Sequence, residues 1–209
     1  MEALAAKVAI RRALPAEEAA RADFYALLAR LFHAAPDGQL LAQIAAAPPI
    51  PDDGDPALAR AWRDLVAASS AMDADAAAEE YEALFAGVGK AAVSIYAGFY
   101  AGAMAIDHPR VRLQAELARL GLARREDATE PEDHFAALFD MMRVLAGGGA
   151  GRAPAALEEQ QRVFDEHLRP GVVKFLAALV HAGQANYYRR IAAFAAAFVA
   201  LEIESFDLE

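Results

Sequence analysis

Residues 187–201 read Tyr-Tyr-Arg-Arg-Ile-Ala-Ala-Phe-Ala-Ala-Ala-Phe-Val-Ala-Leu, and the periodicity of this stretch decides the fold. Its large apolar side chains recur at intervals of four and three residues, which places them on one face of an α-helix. The alanines between them are strong helix formers that bury little area, which favours closely packed helices. We therefore predict a helix from about residue 184 to residue 204, whose apolar face is formed by Tyr187, Ile191, Phe194, Phe198 and Leu201.

The same helical period recurs along the rest of the chain. Asp55 followed by Pro56 is typical of a helix start, with an N-cap carboxylate and a proline at the first helical position. The segment 91–106 fits either a helix or a strand, and its helical surroundings favour a helix. We predict an all-α fold, a single globular bundle of about nine to ten helices. The predicted helices begin near residues 15, 37, 56, 73, 91, 109, 135, 154, 170 and 184.

Composition and charge exclude several classes of function. The 209 residues include 30 acidic and 20 basic side chains, which gives a net charge of −10. This balance disfavours nucleic acids and anionic membrane surfaces, which are bound mainly through basic patches. It would instead attract a cationic partner, such as an arginine-bearing peptide. The absence of cysteine excludes disulfides, thiolate catalysis and cysteine-ligated metal centres.

The sequence also argues against secretion and membrane insertion. Residues 1–7 lack a basic segment followed by an apolar core, so they do not form a secretory signal. The longest uncharged apolar run, 191–201, is shorter than the roughly 20 residues needed to span a bilayer. We expect a cytoplasmic protein that is not inserted in a membrane.

A run of chemically versatile side chains occupies residues 129–135, Thr-Glu-Pro-Glu-Asp-His-Phe. In a structural interpretation, Thr129 and Glu132 have the spacing of a capping box, and the acidic residues complement the dipole of the helix that follows. In a metal-site interpretation, Glu130 and His134 are four residues apart and could share a helix face. Di-iron bundles, however, need Glu-x-x-His pairs, and no such pair occurs in this sequence. We expect no metal and no cofactor.

Acid–base catalysis is the third interpretation of this run. Asp133 lies beside His134, but the serines of the chain occur in no nucleophile-elbow motif. We therefore expect a protein that is not an enzyme, with a metal-dependent helical enzyme as the remaining catalytic alternative.

A group of aromatic residues lies earlier in the chain. Such side chains most often pack in a core. Alternatively, they form the wall of a groove that binds an apolar helical or extended peptide while the tyrosine hydroxyls stay in water. The group consists of Tyr81, Phe85, Tyr96, Phe99 and Tyr100.

Three blocks of sequence, taken in order, resemble the TorD/DmsD/NarJ family of bacterial molybdoenzyme chaperones, especially its TorD-like branch. Residues 81–89, Tyr-Glu-Ala-Leu-Phe-Ala-Gly-Val-Gly, are similar to the family's Tyr-x-x-Leu-Phe-x-Gly block. Residues 130–134, Glu-Pro-Glu-Asp-His, are similar to its Glu-Pro-x-Asp-His signature. Residues 164–170, Phe-Asp-Glu-His-Leu-Arg-Pro, resemble its His-Leu-x-Pro-Trp block. The resemblance extends over about residues 20–206.

The resemblance implies an all-helical chaperone domain with an N-terminal lobe at 1–121, a hinge at 122–134 and a C-terminal lobe at 135–209. Such a protein would bind the twin-arginine leader of a molybdenum-cofactor oxidoreductase and delay its export until the cofactor is inserted. The expected clients are a formate dehydrogenase or a DMSO/TMAO-reductase-type enzyme. An assembly scaffold that binds only the mature catalytic subunit is the alternative. The chaperone would be a monomer or a homodimer.

The resemblance also implies the site. Asp133 and His134 are expected to face the client, while Thr129 and Glu132 hold the start of the helix. Two departures from the family pattern concern this site: Gly171 replaces the usual tryptophan, and residues 91–96 lack the Pro and Glu that often precede Ser-x-Tyr. The implied leader-binding and hinge residues are Glu130, Pro131, Asp133 and His134, with Tyr81, Phe85, Tyr96 and Tyr100 lining the same groove.

Overall fold

The computed structural model describes residues 16–51, 54–86, 91–100, 109–122, 130–149 and 151–208. Over these ranges the chain is built from α-helices joined by loops, which confirms the all-α prediction. Two π-helical turns, Glu82–Ala86 and Phe164–Leu168, extend α4 and join α8 to α9. The helices are α1 (Ala16–His33), α2 (Gly38–Ala45), α3 (Pro56–Ala71), α4 (Ala74–Tyr81), α5 (Ala97–Tyr100), α6 (Pro109–Arg119), α7 (Phe135–Gly147), α8 (Leu157–Val163), α9 (Arg169–His181) and α10 (Tyr187–Asp207).

The core lies where helices from both ends of the sequence pack together. Helix α1 lies along α7, and α10 packs on both α3 and α9. Phe32 of α1 stacks on Phe139 of α7 with ring centroids 5.8 Å apart, and Tyr25 meets Phe198 edge-on at 4.8 Å. Burial of these rings stabilises the helix packing through the hydrophobic effect and aromatic contacts. The predicted lobes therefore share one core, and their motion about a hinge at 122–134 stays a prediction.

Helices α1 and α10 are also joined by a buried ion pair. The carboxylate of Glu202 is 2% exposed and accepts hydrogen bonds from Arg21 Nε and Nη2, each at 2.7 Å. The hydroxyl of Tyr25 donates a third hydrogen bond to Glu202, at 2.6 Å. Because all three groups are satisfied by one another, the charge of Glu202 is tolerated inside the protein.

The predicted helix starts at Asp37 and Asp55 are confirmed. The carboxylate of Asp37 accepts a hydrogen bond from the backbone N–H of Leu40 at 2.7 Å, and Asp55 accepts one from Leu58 at 2.6 Å. Pro56 follows Asp55 at the first helical position, where its missing N–H costs no hydrogen bond.

The start of α10 is capped by a residue from another helix. Asn186 supplies no side-chain cap, but the carboxylate of Glu80 accepts hydrogen bonds from the backbone N–H groups of residues 186, 187 and 188 at 2.8, 3.0 and 2.8 Å. This carboxylate satisfies donors that a helix start otherwise leaves unpaired and complements the helix dipole. Helix α10 begins at Tyr187, three residues later than predicted.

Two boundary predictions were wrong. The segment 91–96 is irregular, and only the four residues of α5 are helical within the described part of the 91–106 segment. The predicted break before Pro170 is absent, because the π-helical turn Phe164–Leu168 carries the chain from α8 directly into α9. Pro170 lies in the first turn of α9, where a proline is tolerated.

Some predicted features lie outside the described residues. They are the N-terminal residues 1–7, the helix start at Pro15, the glycines Gly87 and Gly89, the helix start at His108, the cap Thr129 and the hinge residues 123–129. Among the helices that the structure does describe, none combines the length and apolar character of a membrane span.

Candidate functional site

The signature run 130–134 lies against the start of α5. The backbone N–H of Ala97 donates to the carbonyl of Asp133 at 2.8 Å, and the N–H of Phe135 donates to the carbonyl of Ile95 at 3.0 Å. These bonds form an isolated antiparallel bridge between Tyr96 and His134. Two of the predicted site residues, 38 positions apart in sequence, are therefore adjacent in space.

His134 is the N-cap of α7. Its Nδ1 accepts a hydrogen bond from the backbone N–H of Ala136 at 3.1 Å, and its ring meets the ring of Tyr96 edge-on at 5.4 Å. The residue is 3% exposed, and this burial lowers the pKa of the imidazole from 6.5 to about 4. His134 is therefore neutral at pH 7, and its Nδ1 lone pair stays available to the cap.

The predicted capping box is wrong. Helix α7 begins at Phe135, so Glu132 lies before the cap instead of in the first helical turn, where a capping-box glutamate is required. The imidazole of His134 takes the role that the sequence pattern assigned to Thr129. Histidine is not among the residues usually preferred at this position, so the pattern gave no signal for it.

Asp133 is also buried, with 6% of its surface exposed. Its Oδ2 accepts a hydrogen bond from the backbone N–H of Gly98 at 3.3 Å, and its Oδ1 lies 3.6 Å from Nε of Arg110. A Cβ on Gly98 would lie 2.8 Å from Oδ2, so any larger residue would require the Asp133 carboxylate to move. The burial of Asp133 and His134 differs from the expectation that both side chains face a client.

Tyr81 and Phe85 lie at the end of α4 and in the π-helical turn that follows it, and Tyr81 contacts the end of α1. The Tyr81 hydroxyl donates to the carbonyls of Phe32 and His33 at 3.2 and 2.9 Å, and its ring lies 5.0 Å from that of Phe85. Burial, helped by the negative charge of Glu130, raises the pKa of Tyr81 to about 12. Tyr81 is therefore protonated at physiological pH and lies within electrostatic reach of the signature run.

Tyr100 is linked to the same group through α9. Its hydroxyl donates to the carbonyl of Ser94 at 2.8 Å, and its ring lies 6.2 Å from Phe175. Phe175 in turn lies 6.4 Å from Phe85 and stacks on Phe135 at 4.3 Å. Phe175 therefore connects Tyr100 with Phe85, which in turn contacts Tyr81 at the end of α4.

Five aromatic side chains, which we call the aromatic face, lie on the segments 81–85 and 96–100, and one of them contacts the signature run. Tyr96 is 38% exposed and Phe99 is 69% exposed, whereas the other three are half-buried. Ring contacts join Tyr96 to His134 of the signature run, Tyr81 to Phe85, and Phe99 to Tyr100 at 5.0 Å. Phe175 lies between Tyr100 and Phe85. The structure thus brings together the predicted site residues from both sequence regions. The aromatic face consists of Tyr81, Phe85, Tyr96, Phe99 and Tyr100.

Arg110 places a positive charge beside the signature run that no sequence pattern predicted. Arg110 of α6 lies 3.7 Å from Oε2 of Glu132 and 3.6 Å from Oδ1 of Asp133. Arg110 is 22 residues away from the nearer carboxylate in sequence, so no local spacing rule could have revealed the pairing. These ion pairs hold α6 against the signature run.

Gly171 shows why the tryptophan expected from the resemblance does not fit. A Cβ at this position would lie 3.3 Å from Cζ of Phe135 and 3.4 Å from the carbonyl oxygen of Ala97. Helix α9 therefore packs closely on α5 at Gly171, and a side chain at this position would require its neighbours to shift. The ring of Phe135 already occupies the adjacent space by stacking on Phe175.

The arrangement is suited to binding. It combines partly exposed aromatic rings with buried carboxylates and a neutral histidine. Within the described ranges, no group of three or more His, Asp and Glu side chains is arranged to hold a metal ion.

The fold and the site define an all-helical protein with a partly exposed surface that is aromatic and acidic. A family model described as "Nitrate reductase delta subunit" matches residues 51–177, which is more than half of the chain and includes all three sequence blocks. The chain belongs to this family, which confirms the resemblance to TorD/DmsD/NarJ-type chaperones. The family consists of chaperones that assist molybdoenzyme maturation and bind the catalytic subunits, without being catalysts themselves. No curated protein matches the chain significantly.

Proposed function

We propose that this protein binds the twin-arginine leader of a molybdenum-cofactor oxidoreductase precursor and delays its export until the cofactor is inserted. One observation carries the proposal: in a chaperone-family chain, Tyr96 of the aromatic face contacts His134 of the signature run, and Tyr81 lies within electrostatic reach of Glu130. The action precedes export and so takes place in the cytoplasm. A formate dehydrogenase or a DMSO/TMAO-reductase-type enzyme is the proposed client.

The aromatic face is the proposed binding site for the leader's apolar segment. Tyr96 and Phe99 are the most exposed of its rings, and rings of this kind supply a large contact area at low cost in conformational entropy. Tyr81 and Tyr100 keep their hydroxyls bonded to backbone carbonyls, so their rings are fixed before a ligand arrives. A preformed aromatic surface loses little entropy on binding.

The carboxylates near the signature run are the proposed partners of the leader arginines. Glu130 is partly exposed beside Pro131, whereas Glu132 already pairs with Arg110. Guanidinium groups form charge-assisted, bidentate hydrogen bonds with carboxylates. The net charge of −10 adds long-range attraction for a cationic leader. Asp133 and His134 are buried, and their proposed role is to hold this segment in place and to act with it as a hinge.

Calorimetric titration with the leader peptide of the co-purifying precursor tests the proposal. We expect Tyr96→Ala and Phe99→Ala each to weaken binding by roughly tenfold, because each removes an aromatic anchor. Leu208→Ala is the matched control, since Leu208 is an apolar residue that is 80% exposed at the end of α10 and outside the aromatic face. Equal effects of all three substitutions would reject this surface as the binding site.

The family description favours a second candidate. It names a nitrate reductase subunit, and an assembly scaffold for such an enzyme would bind only the mature catalytic subunit. A pull-down that compares the full precursor with a leader-deleted precursor separates the two candidates. Leader recognition predicts loss of binding on deletion, whereas the scaffold candidate predicts equal recovery of both.

A further inference from the structure

A small cavity lies on the inner side of the signature run. Its volume is about 30 Å³, and it is lined by α5, α6, the start of α7, the π-helical turn before α9 and the start of α9. A cavity of this size holds one or two water molecules when polar groups line it. The lining includes Arg112, Leu113, Asp133, Glu166, His167 and Gly171.

Two polar atoms of this lining are buried and lack a hydrogen-bond partner within the described part of the chain. They are Oδ1 of Asp133, whose side chain is 9% exposed, and Nε2 of His167, whose side chain is 6% exposed. Buried polar atoms are nearly always hydrogen-bonded, either to protein or to ordered water. We therefore expect each of these two atoms to have a hydrogen-bond partner inside the cavity.

The nearest charged groups are slightly too far away for direct bonds. Nε of Arg110 lies 3.6 Å from Oδ1 of Asp133, and Oε2 of Glu166 lies 3.9 Å from Nε2 of His167. Polar pairs separated by more than about 3.5 Å are commonly bridged by water. Cations and carboxylates both line the cavity, which favours a neutral ligand over an ion.

We propose that an ordered water molecule occupies this cavity and links Oδ1 of Asp133 to Nε2 of His167, which makes His167 a positioning residue for the signature run. The water donates one hydrogen bond to the carboxylate, and it either donates a second one to the imidazole or accepts one from it. Burial lowers the pKa of His167, so the ring is neutral at pH 7 and its Nε2 can take either role. The effect of this link on client binding rests on the proposed function.

The link joins Asp133 and His167, which are 34 residues apart and belong to the sequence blocks 130–134 and 164–170. His167 reaches the cavity from the π-helical turn Phe164–Leu168, whose geometry re-aims side chains relative to a regular helix. The other carboxylate oxygen of Asp133 accepts from Gly98 of α5. The water would therefore fix the second oxygen and hold α5, the signature run and α9 in one arrangement.

The test compares His167→Gln, which keeps a polar atom near Nε2, with His167→Leu, which removes it. A crystal structure of the free wild-type protein is expected to contain a water within hydrogen-bond distance of both Oδ1 and Nε2. His167→Leu is expected to lose that water and to weaken leader binding by about fivefold, while His167→Gln retains both. His181→Leu, an exposed histidine at the end of α9, is the control for surface effects.

Two results would overturn the inference: a direct bond between Asp133 and His167 in the crystal, or an unchanged water position in His167→Leu. Leader affinity that is equal in His167→Leu and the wild type would overturn the positioning role. If the wild-type protein binds no leader at all, the proposed function fails. The crystal structures of the free proteins would still decide whether the water link exists.

Discussion

Replacement of His134 by alanine tests whether the signature histidine stabilises the start of α7. The substitution removes the acceptor for the Ala136 N–H and the edge-on contact with Tyr96. Loss of an N-cap costs about 1 kcal/mol, and loss of an aromatic contact costs about another 1 kcal/mol. The truncated buried ring adds a cavity cost of roughly 1 kcal/mol or more. We expect the free energy of unfolding to fall by about 3 kcal/mol.

His134→Asn is the matched control, because asparagine is among the best N-cap residues but lacks the ring. It should recover about 1 kcal/mol relative to His134→Ala, since only the cap is restored. Urea unfolding followed by circular dichroism measures both values. For a chain of this size, 1 kcal/mol corresponds to a difference of roughly 2–4 °C in Tm.

The cap would be rejected if the two variants had the same stability. A His134→Ala protein as stable as the wild type would refute the whole account of this residue, including its packing. In that case a direct contact with the client would become the better explanation for the signature histidine.

Three further predictions concern ionisable groups. The pKa of His134 is 6.5 in the unfolded chain and about 4 in the folded one, so the unfolded state binds more protons between these pH values. The free energy of unfolding should therefore fall by roughly 2 kcal/mol from pH 7 to pH 5. His134→Asn should remove this part of the pH dependence in urea titrations, and an unchanged slope would contradict the assignment. Glu80→Ala should lower the free energy of unfolding by about 1–3 kcal/mol, because three backbone donors at the start of α10 lose their acceptor. Glu79→Ala, at the exposed neighbouring residue, is the control and should have little effect. Equal shifts in Tm for the two variants would argue against the cap. Glu202→Ala removes the acceptor of the buried Tyr25 hydroxyl and one of the two carboxylates bound to Arg21, which keeps its ion pair with Glu18. We expect a cost of about 1–3 kcal/mol, with a smaller cost for Glu202→Gln; a neutral result for Glu202→Ala in chemical denaturation would count against this network.

Local rules predicted much of the fold. The helical period of 187–201 lies within α10, and the aspartate caps at Asp37 and Asp55 form as the sequence indicated. These features depend on neighbours within a few residues, so a single sequence contains the information for them. The boundary at 168–170 was wrong because a π-helical turn has no clear sequence signal, and a proline near a helix start is compatible with either outcome.

The proximity of some predicted site residues agrees with the sequence analysis, whereas the burial of Asp133 and His134 does not, and the role of these residues in binding stays a prediction. Ring contacts and charge proximity place Tyr81, Tyr96 and the signature run together, as the resemblance implied. The sequence did not indicate that Asp133 would be buried beside Gly98, or that Arg110 would pair with it. These contacts join residues far apart in the chain, and they depend on how α5 and α6 pack on α7. No local pattern encodes such packing.

The central claim is recognition of a twin-arginine leader by the aromatic face and the carboxylates beside it. Isothermal titration calorimetry should compare the leader peptide of the co-purifying precursor with a peptide in which both arginines are replaced by lysine. We predict saturable binding of the native peptide and an affinity at least roughly tenfold lower for the lysine peptide, because lysine cannot form bidentate bonds with carboxylates. Equal affinity for the two peptides, or no binding of the native leader, would contradict the claim.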